Sequence, residues 1–257
     1  MTQHDRSIFI TGAASGIGRE SARRFAAEGW RVGLSDTNAH GLKEMRDELG
    51  HRASTYEVDV RDLPALSDAI AAFSADQDGL DVLFNCAGIL VMRNFADTDP
   101  ARLKDVVDIN VTGVIHGAHA ALPWLRKGRD AHIVNMSSVS ALYGIPEEAV
   151  YSASKFAVRG LTEALNIELE SENIWVSDIM VAYVATPMVL APRQKAKSVD
   201  ILGVNVTPLQ VANTVYSAAT GRQVHWFVTE ADAAVAAQID STPWESRRDI
   251  VKAITGF

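Results

Sequence analysis

Between Ser7 and Gly29 the chain does something few folds permit. Ser7-Ile8-Phe9-Ile10 reads as a buried strand, runs without a break into Thr11-Gly12-Ala13-Ala14-Ser15-Gly16-Ile17-Gly18, and continues as a helical stretch. Glycine lets a backbone turn tightly and come close to a pyrophosphate, whose charge then meets the free amides and positive dipole end of the new helix. The segment predicts a dinucleotide site on a strand-turn-helix, with Gly12, Ser15, Gly16, Ile17 and Gly18 nearest the phosphates.

The rest of the chain repeats the alternation. Short β-rich runs fall at 7–11, 31–36, 55–59, 80–85, 132–137, 175–181 and 223–228, and helical patterns at 16–28, 39–49, 64–75, 100–126, 150–171 and 208–220. Such a series predicts an α/β fold: a single-domain, Rossmann-like, doubly wound parallel sheet with helices on both faces and ligands at the carboxyl ends of its strands. Thr11, Asp36, Asp59, Asn85 and Ser138 each fall at or just after a strand end, although they are far apart in sequence. With 257 residues, 47% of them hydrophobic, the chain can bury one large core, and nothing marks a linker.

A second pattern carries chemistry. Tyr151 and Lys155 stand four residues apart in Tyr-Ser-Ala-Ser-Lys, and Ser138 closes the apolar run that begins at His132. On a helix that spacing puts phenol and ammonium on one face, where the cation favours the phenolate and eases proton exchange with a carbinol or carbonyl oxygen.

Taken in order, Thr-Gly-x-x-x-Gly-x-Gly, Asp36, Asp59-Val60, Asn85-Cys86-Ala87-Gly88, Asn110, Ser138 and Tyr-x-x-x-Lys resemble the short-chain dehydrogenase/reductase family from about Ser7 to Val228. The resemblance implies that Tyr151 is the general acid/base. Lys155 lowers its pKa and holds the nicotinamide ribose, Ser138 binds the reacting oxygen, and Asn110 anchors a water chain toward the lysine. It also implies cofactor contacts at Asp59 and Val60 (adenine), at Asn85, Ala87 and Gly88 beneath the cofactor, and at Val184 and Thr186 beside the nicotinamide. Asp36 lies 18 residues beyond Gly18, near the position of the acid that accepts the adenosine ribose hydroxyls. Its carboxylate opposes a 2′-phosphate by about 4 kcal/mol for unit charges near 4 Å at an effective dielectric of 20, so NAD is the expected cofactor. The competing reading of Asp36 is a cap on the turn before the next helix.

Two departures from the family stand out. Cys86 replaces the usual second asparagine, and Val181-Ala182 replaces Pro-Gly before the clamping threonine, adding a methyl where substrate and nicotinamide meet. The expected substrate wall, Leu90, Met92, Leu142, Tyr143, Ala182 and Met188 beside Ser138 and Tyr151, is apolar and predicts a small hydrophobic secondary alcohol or its ketone. The segment 187–206 reads as a lid. The extension 229–257 should bury Trp244, Ile250 and Ile254 at the pocket rim or against another subunit, because leaving each in water costs about 1.5–3 kcal/mol.

Composition narrows the partners. A net charge of −8 with scattered basic residues disfavours nucleic acid and anionic membranes, and no apolar run approaches the ~20 residues of a membrane span. His116 and His119 share a helix face without a third ligand, so no metal is expected. One cysteine excludes an intrachain disulfide, and the opening Met-Thr-Gln-His-Asp-Arg lacks the apolar core of a signal peptide, which fits the cytoplasm. The resemblance implies a homodimer or homotetramer. Two other classes compete: a non-catalytic dinucleotide-binding regulator, and a nucleotide-sugar epimerase or dehydratase, which needs a longer carboxyl-terminal substrate domain.

Overall fold

The computed structural model describes residues 5–76 and 78–257; the first four residues of the opening hexapeptide lie outside the described residues. The first strand, β1 (Ser7–Thr11), is buried at all five positions. Successive side chains of a strand point to opposite faces, so a strand covered on both sides is apolar throughout instead of alternating. Ile8 and Ile10 enter one core layer, where Phe25 and Tyr216 pack, and Phe9 enters the other, against Leu66, Ile70 and Phe73. The same split divides Val82 and Phe84 from Leu83, and Val134 from Ile133.

Six further strands, β2 (Arg31–Asp36), β3 (Ala53–Glu57), β4 (Val82–Asn85), β5 (Ala131–Met136), β6 (Ile174–Met180) and β7 (His225–Phe227), complete one sheet in the order β3-β2-β1-β4-β5-β6-β7. All neighbouring pairs are parallel. The chain winds outward from β1 in one direction, then crosses back to β4 and winds in the other. That reversal opens a crevice beyond the carboxyl ends of β1 and β4, the usual ligand position in such sheets.

The helices are α1 (Gly16–Ala27), α2 (Ala39–Leu49), α3 (Leu63–Ala75), α4 (Pro100–Val107), α5 (Gly113–Leu125), α6 (Ala149–Glu168), α7 (Pro187–Leu190), α8 (Lys197–Leu202), α9 (Pro208–Ala218), α10 (Glu230–Ser241) and α11 (Trp244–Thr255). Three sequence expectations shift. The third strand begins and ends two residues early, which leaves Asp59 in the following loop. The single helix expected over 100–126 is interrupted by a π-helical turn at Asp108–Thr112, whose extra residue turns Asn110 inward. The segment 187–206 contains α7 and α8 and is pinned to the loop after β6 by a bridge between Val184 and Val206.

The carboxyl-terminal extension also departs from expectation. Helices α10 and α11 bury Ala236, Ile239 and Val251 against Leu142 and Met180, with Ile250 partly buried beside them. Trp244 is not buried: it is 73% exposed, under the Arg247 guanidinium. Among the described residues no helix is long and apolar enough to cross a membrane.

Candidate functional site

A cleft of about 550 Å³ runs along the carboxyl ends of the strands, from Asp36 and Asp59 at one end to Ser138, Tyr151 and Met188 at the other. Its floor is the glycine turn after β1. Gly12 has φ +71°, and a Cβ there would sit 2.8 Å from Ala87 Cα. A Cβ on Gly18 would lie 2.2 Å from Gly12 O, so the first turn of α1 can close on the strand end only without one. The Thr11 hydroxyl accepts from Cys86 N at 3.1 Å and Ala87 N at 3.2 Å, locking the β1 and β4 ends together. Ser15 makes no side-chain cap, so the unpaired first-turn amides of α1 are free to meet an anion.

Asn38, whose side chain accepts from Gly41 N at 3.1 Å, is the cap of α2, while Asp36 lines the cleft. Asp36 Oδ2 accepts from Ala14 N at 3.0 Å and its Oδ1 from Asn38 N at 2.9 Å, which holds the carboxylate at the cleft wall and braces the turn into α2. Asp59 also lines the cleft, with its carboxylate engaged by the Arg61 guanidinium, whose hydrogen bonds hold it below the usual carboxylate range. Arg61 is a cleft cation that the sequence reading missed, although it stands two residues from Asp59. Val60, Ala87 and Gly88 line the cleft as expected. Asn85 does not: its amide donates to Asn135 Oδ1 at 2.9 Å, and Asn135 donates in turn to Thr162 Oγ1, so this asparagine fastens the sheet to α6. Cys86 lines the cleft with a thiol that burial pushes up to about 12, which keeps it protonated and unreactive.

At the other end Ser138, Tyr151 and Lys155 line the cleft, whereas Asn110 is not among its lining residues. Asn110, 1% exposed, receives Ile89 N–H on Oδ1 at 2.9 Å and donates through Nδ2 to Ile89 O at 2.9 Å and Ser154 Oγ at 3.2 Å. Ser154 donates to Tyr151 O at 2.6 Å. Asn110 therefore ties the loop after β4 to the first turn of α6 through the backbone of Tyr151. Ser138 hydrogen-bonds the Tyr151 phenol. It also receives Ser140 N–H at 3.1 Å and lies 3.3 Å from Val181 O. The adjacent Ser137 has a sealed hydroxyl with no partner.

Lys155 is 5% exposed, donates to Met136 O at 2.7 Å, and has its ammonium 5.4 Å from the Tyr151 ring centroid. Burial pulls it down to about 8, with Cys86 and Asp178 opposing. The expectation that Lys155 lowers the Tyr151 pKa is not met in the protein alone. Burial, followed by the Glu148 charge, pushes the phenol up, and the Ser138 hydrogen bond only partly offsets this.

The substrate wall needs three corrections. Leu90, Ala182 and Met188 line the cleft, with Val184 and Thr186 near its middle. Met92 instead packs against Val189, Ala196 and Val199 of the segment 187–206, while Leu142 and Tyr143 pack toward Met180, Ala236 and Val251. Each is apolar and falls on a loop, so sequence alone did not say which side it faces. The loop that lacks Pro-Gly is held another way: Ala182 N donates to Asp232 Oδ1 at 3.2 Å, and Asp232 belongs to the first turn of α10. The sequence reading also missed Glu148 and Tyr183, the polar groups facing the apolar wall.

The family model described as short chain dehydrogenase matches residues 6–197. Oxidoreductase UcpA of Salmonella typhimurium is 37% identical over 187 residues, covering 71% of this chain and 71% of that protein. Cyclopentanol dehydrogenase of Comamonas testosteroni is 34% identical over 222 residues, covering 82% of this chain and 88% of that protein. A short chain dehydrogenase/reductase from Burkholderia phymatum, solved in complex with NAD, superposes with a TM-score of 0.81 at 26% identity, covering 92% of this chain and 94% of that one. With the parallel sheet, the glycine turn and the Ser138, Tyr151 and Lys155 cluster all in place, the chain belongs to the short-chain dehydrogenase family of oxidoreductases.

Proposed function

We propose that this protein interconverts a secondary alcohol and its ketone with NAD(H). The observation that carries the reading is the meeting of Ser138, Tyr151 and the buried Lys155 at one end of a cleft whose other end holds the glycine turn and the Asp36 carboxylate. The residues fit a dinucleotide: Gly12 leaves no room for a Cβ, the α1 amides would meet the pyrophosphate, and Asp36 would accept the adenosine ribose hydroxyls. Of the other cleft-lining residues, Val60 would flank the adenine, and Ala87, Gly88, Val184 and Thr186 the nicotinamide half. Lys155 has one carbonyl acceptor and no carboxylate partner among the described residues, which leaves donors for the ribose.

A nicotinamide held there would supply the hydride acceptor for oxidation of the carbinol carbon and the hydride donor for reduction of the ketone. Ser138 holds the reacting oxygen. Tyr151 takes the hydroxyl proton as the alcohol is oxidised and gives one back as the ketone is reduced. Leu90, Ala182 and Met188 exclude water from that end.

Asp36 is tethered by two amides and so is not free to swing away from a 2′-phosphate. NAD(H) should be preferred, and Asp36→Ala combined with Thr37→Arg should weaken or reverse the preference. Steady-state kinetics with both cofactors check this, and equal use of both by the wild type contradicts it. Cofactor fluorescence on a panel of alcohols and ketones tests the reaction itself. Tight cofactor binding without turnover of any would favour the regulator reading. The Comamonas relative, by its name, acts on a cyclic secondary alcohol, which supports a similar substrate class here. A homodimer or homotetramer in the cytoplasm is part of the same reading.

A further inference from the structure

Beyond Tyr151 the cleft wall is apolar except near Glu148, which caps the start of α6 and is 2% exposed. Its side chain makes no cap hydrogen bond to the helix, so capping does not explain the carboxylate. Oε1 accepts from the Tyr183 hydroxyl at 2.6 Å, and that hydroxyl also lies 2.7 Å from Ser198 Oγ. Oε2 has no partner among the described residues, yet it is not sealed in the way that the unpartnered Asp178 Oδ2 is. Glu148 lines the cleft, and its free oxygen therefore opens to it. A buried carboxylate without a cation is costly, and burial, joined by the charge of Glu147 and opposed by the Tyr183 hydrogen bond, pushes this one up to about 7. A neutral acceptor would hold Tyr183 without that cost.

The position is informative. Glu148 is the N-cap of α6 and Tyr151 the third residue of that helix, and the Glu148 charge is felt at the Tyr151 phenol. A substrate whose reacting oxygen is held at Tyr151 can therefore present a second polar group to Oε2. We propose that Glu148 is a specificity-determining residue, whose free oxygen accepts a hydrogen bond from a hydroxyl or ammonium on the carbon next to the reacting carbinol. The favoured substrates are vicinal diols or vicinal amino alcohols and the matching ketones. This narrows the alcohol and ketone reading above and rests on it.

The test compares cyclohexanol, a vicinal cyclohexanediol and a vicinal aminocyclohexanol, each with NAD and the intact protein. The expected result is a kcat/KM about tenfold or more higher for at least one donor-bearing substrate than for cyclohexanol, the scale of a charge-assisted hydrogen bond. Whichever donor gains more identifies the hydroxyl or the ammonium as the natural group. In Glu148→Leu, and to a smaller extent in Glu148→Gln, that ratio should fall toward unity. A variant that merely loses folded protein scales all three rates equally and leaves the ratio as it was. A wild-type ratio near unity, or a ratio that survives both substitutions, overturns the proposal while leaving the alcohol and ketone reading intact. No turnover of any of the three overturns both.

Discussion

In the proposed reaction Tyr151 starts as a protonated phenol, because burial, then the Glu148 charge, pushes it up against the Ser138 hydrogen bond. Ketone reduction, which consumes that proton, should be near its full rate at neutral pH, whereas alcohol oxidation needs the phenolate and should climb as pH rises into the alkaline range; pH profiles of kcat/KM in both directions check the contrast. Tyr151→Phe should keep NADH binding and lower turnover by at least ~100-fold, the lower range for losing a positioned acid/base. Cofactor titration beside turnover measures both, and near-normal turnover would sink the assignment. His132 shows the same physics in a structural role. It is fully buried in β5, its Nδ1 3.1 Å from Ala218 O and its Nε2 facing the Arg222 guanidinium. Burial, then the Arg222 charge, lowers it from 6.5 to about 4, so the fold holds it neutral. As pH falls from 6.5 toward 4 the unfolded chain takes up a proton that the fold refuses, and stability declines. His225, raised by its hydrogen bond to Asp178, pulls the other way, so the measurement is a difference. Urea unfolding of wild type against His132→Gln should show the wild type losing up to ~3 kcal/mol relative to the variant across that window.

At the scale of elements, two joints hold the site together. The π-helical turn between α4 and α5 turns Asn110 toward Ile89 and Ser154, where a regular helix read from the pattern would not have carried it inward. Asparagine inside a helix was legible as an anomaly, but its partners lie 21 and 44 residues away and came only with the fold. The second joint is α10, whose Asp232 closes a capping box with Thr229 and also receives the Ala182 amide beside the cleft. The extension thereby braces the loop that lost its proline and glycine. Asp232→Ala removes cap and brace together. The cap alone is worth about 0.5–2 kcal/mol, and the loosened loop should raise KM for substrate and cofactor by several-fold. Thermal unfolding and steady-state kinetics check the pair; a lower Tm with unchanged KM would show that the brace does not reach the site.

Seen as a whole molecule, the protein leaves an apolar strip on α6 uncovered, with Phe156 43% and Ile167 75% exposed, and Ile115 46% exposed on α5. A homo-oligomer that buries this strip is the expectation, and the charged substitution Phe156→Asp together with Ile167→Asp should lower the mass found by light scattering. Unchanged mass would place the interface elsewhere. Local periodicity and spacing within one element were enough for the order of strands and helices, the glycine turn and the Tyr151–Lys155 pair, whereas Ser138, on a different element, was joined to them only by the family resemblance. Only the tertiary structure decided which loop side chains face the cleft. Met92, Leu142 and Tyr143 turned into packing clusters, and Glu148 and Tyr183 toward the cleft. A loop has no repeating geometry to fix the direction of its side chains, so those choices fall to packing and hydrogen-bond partners far away in sequence.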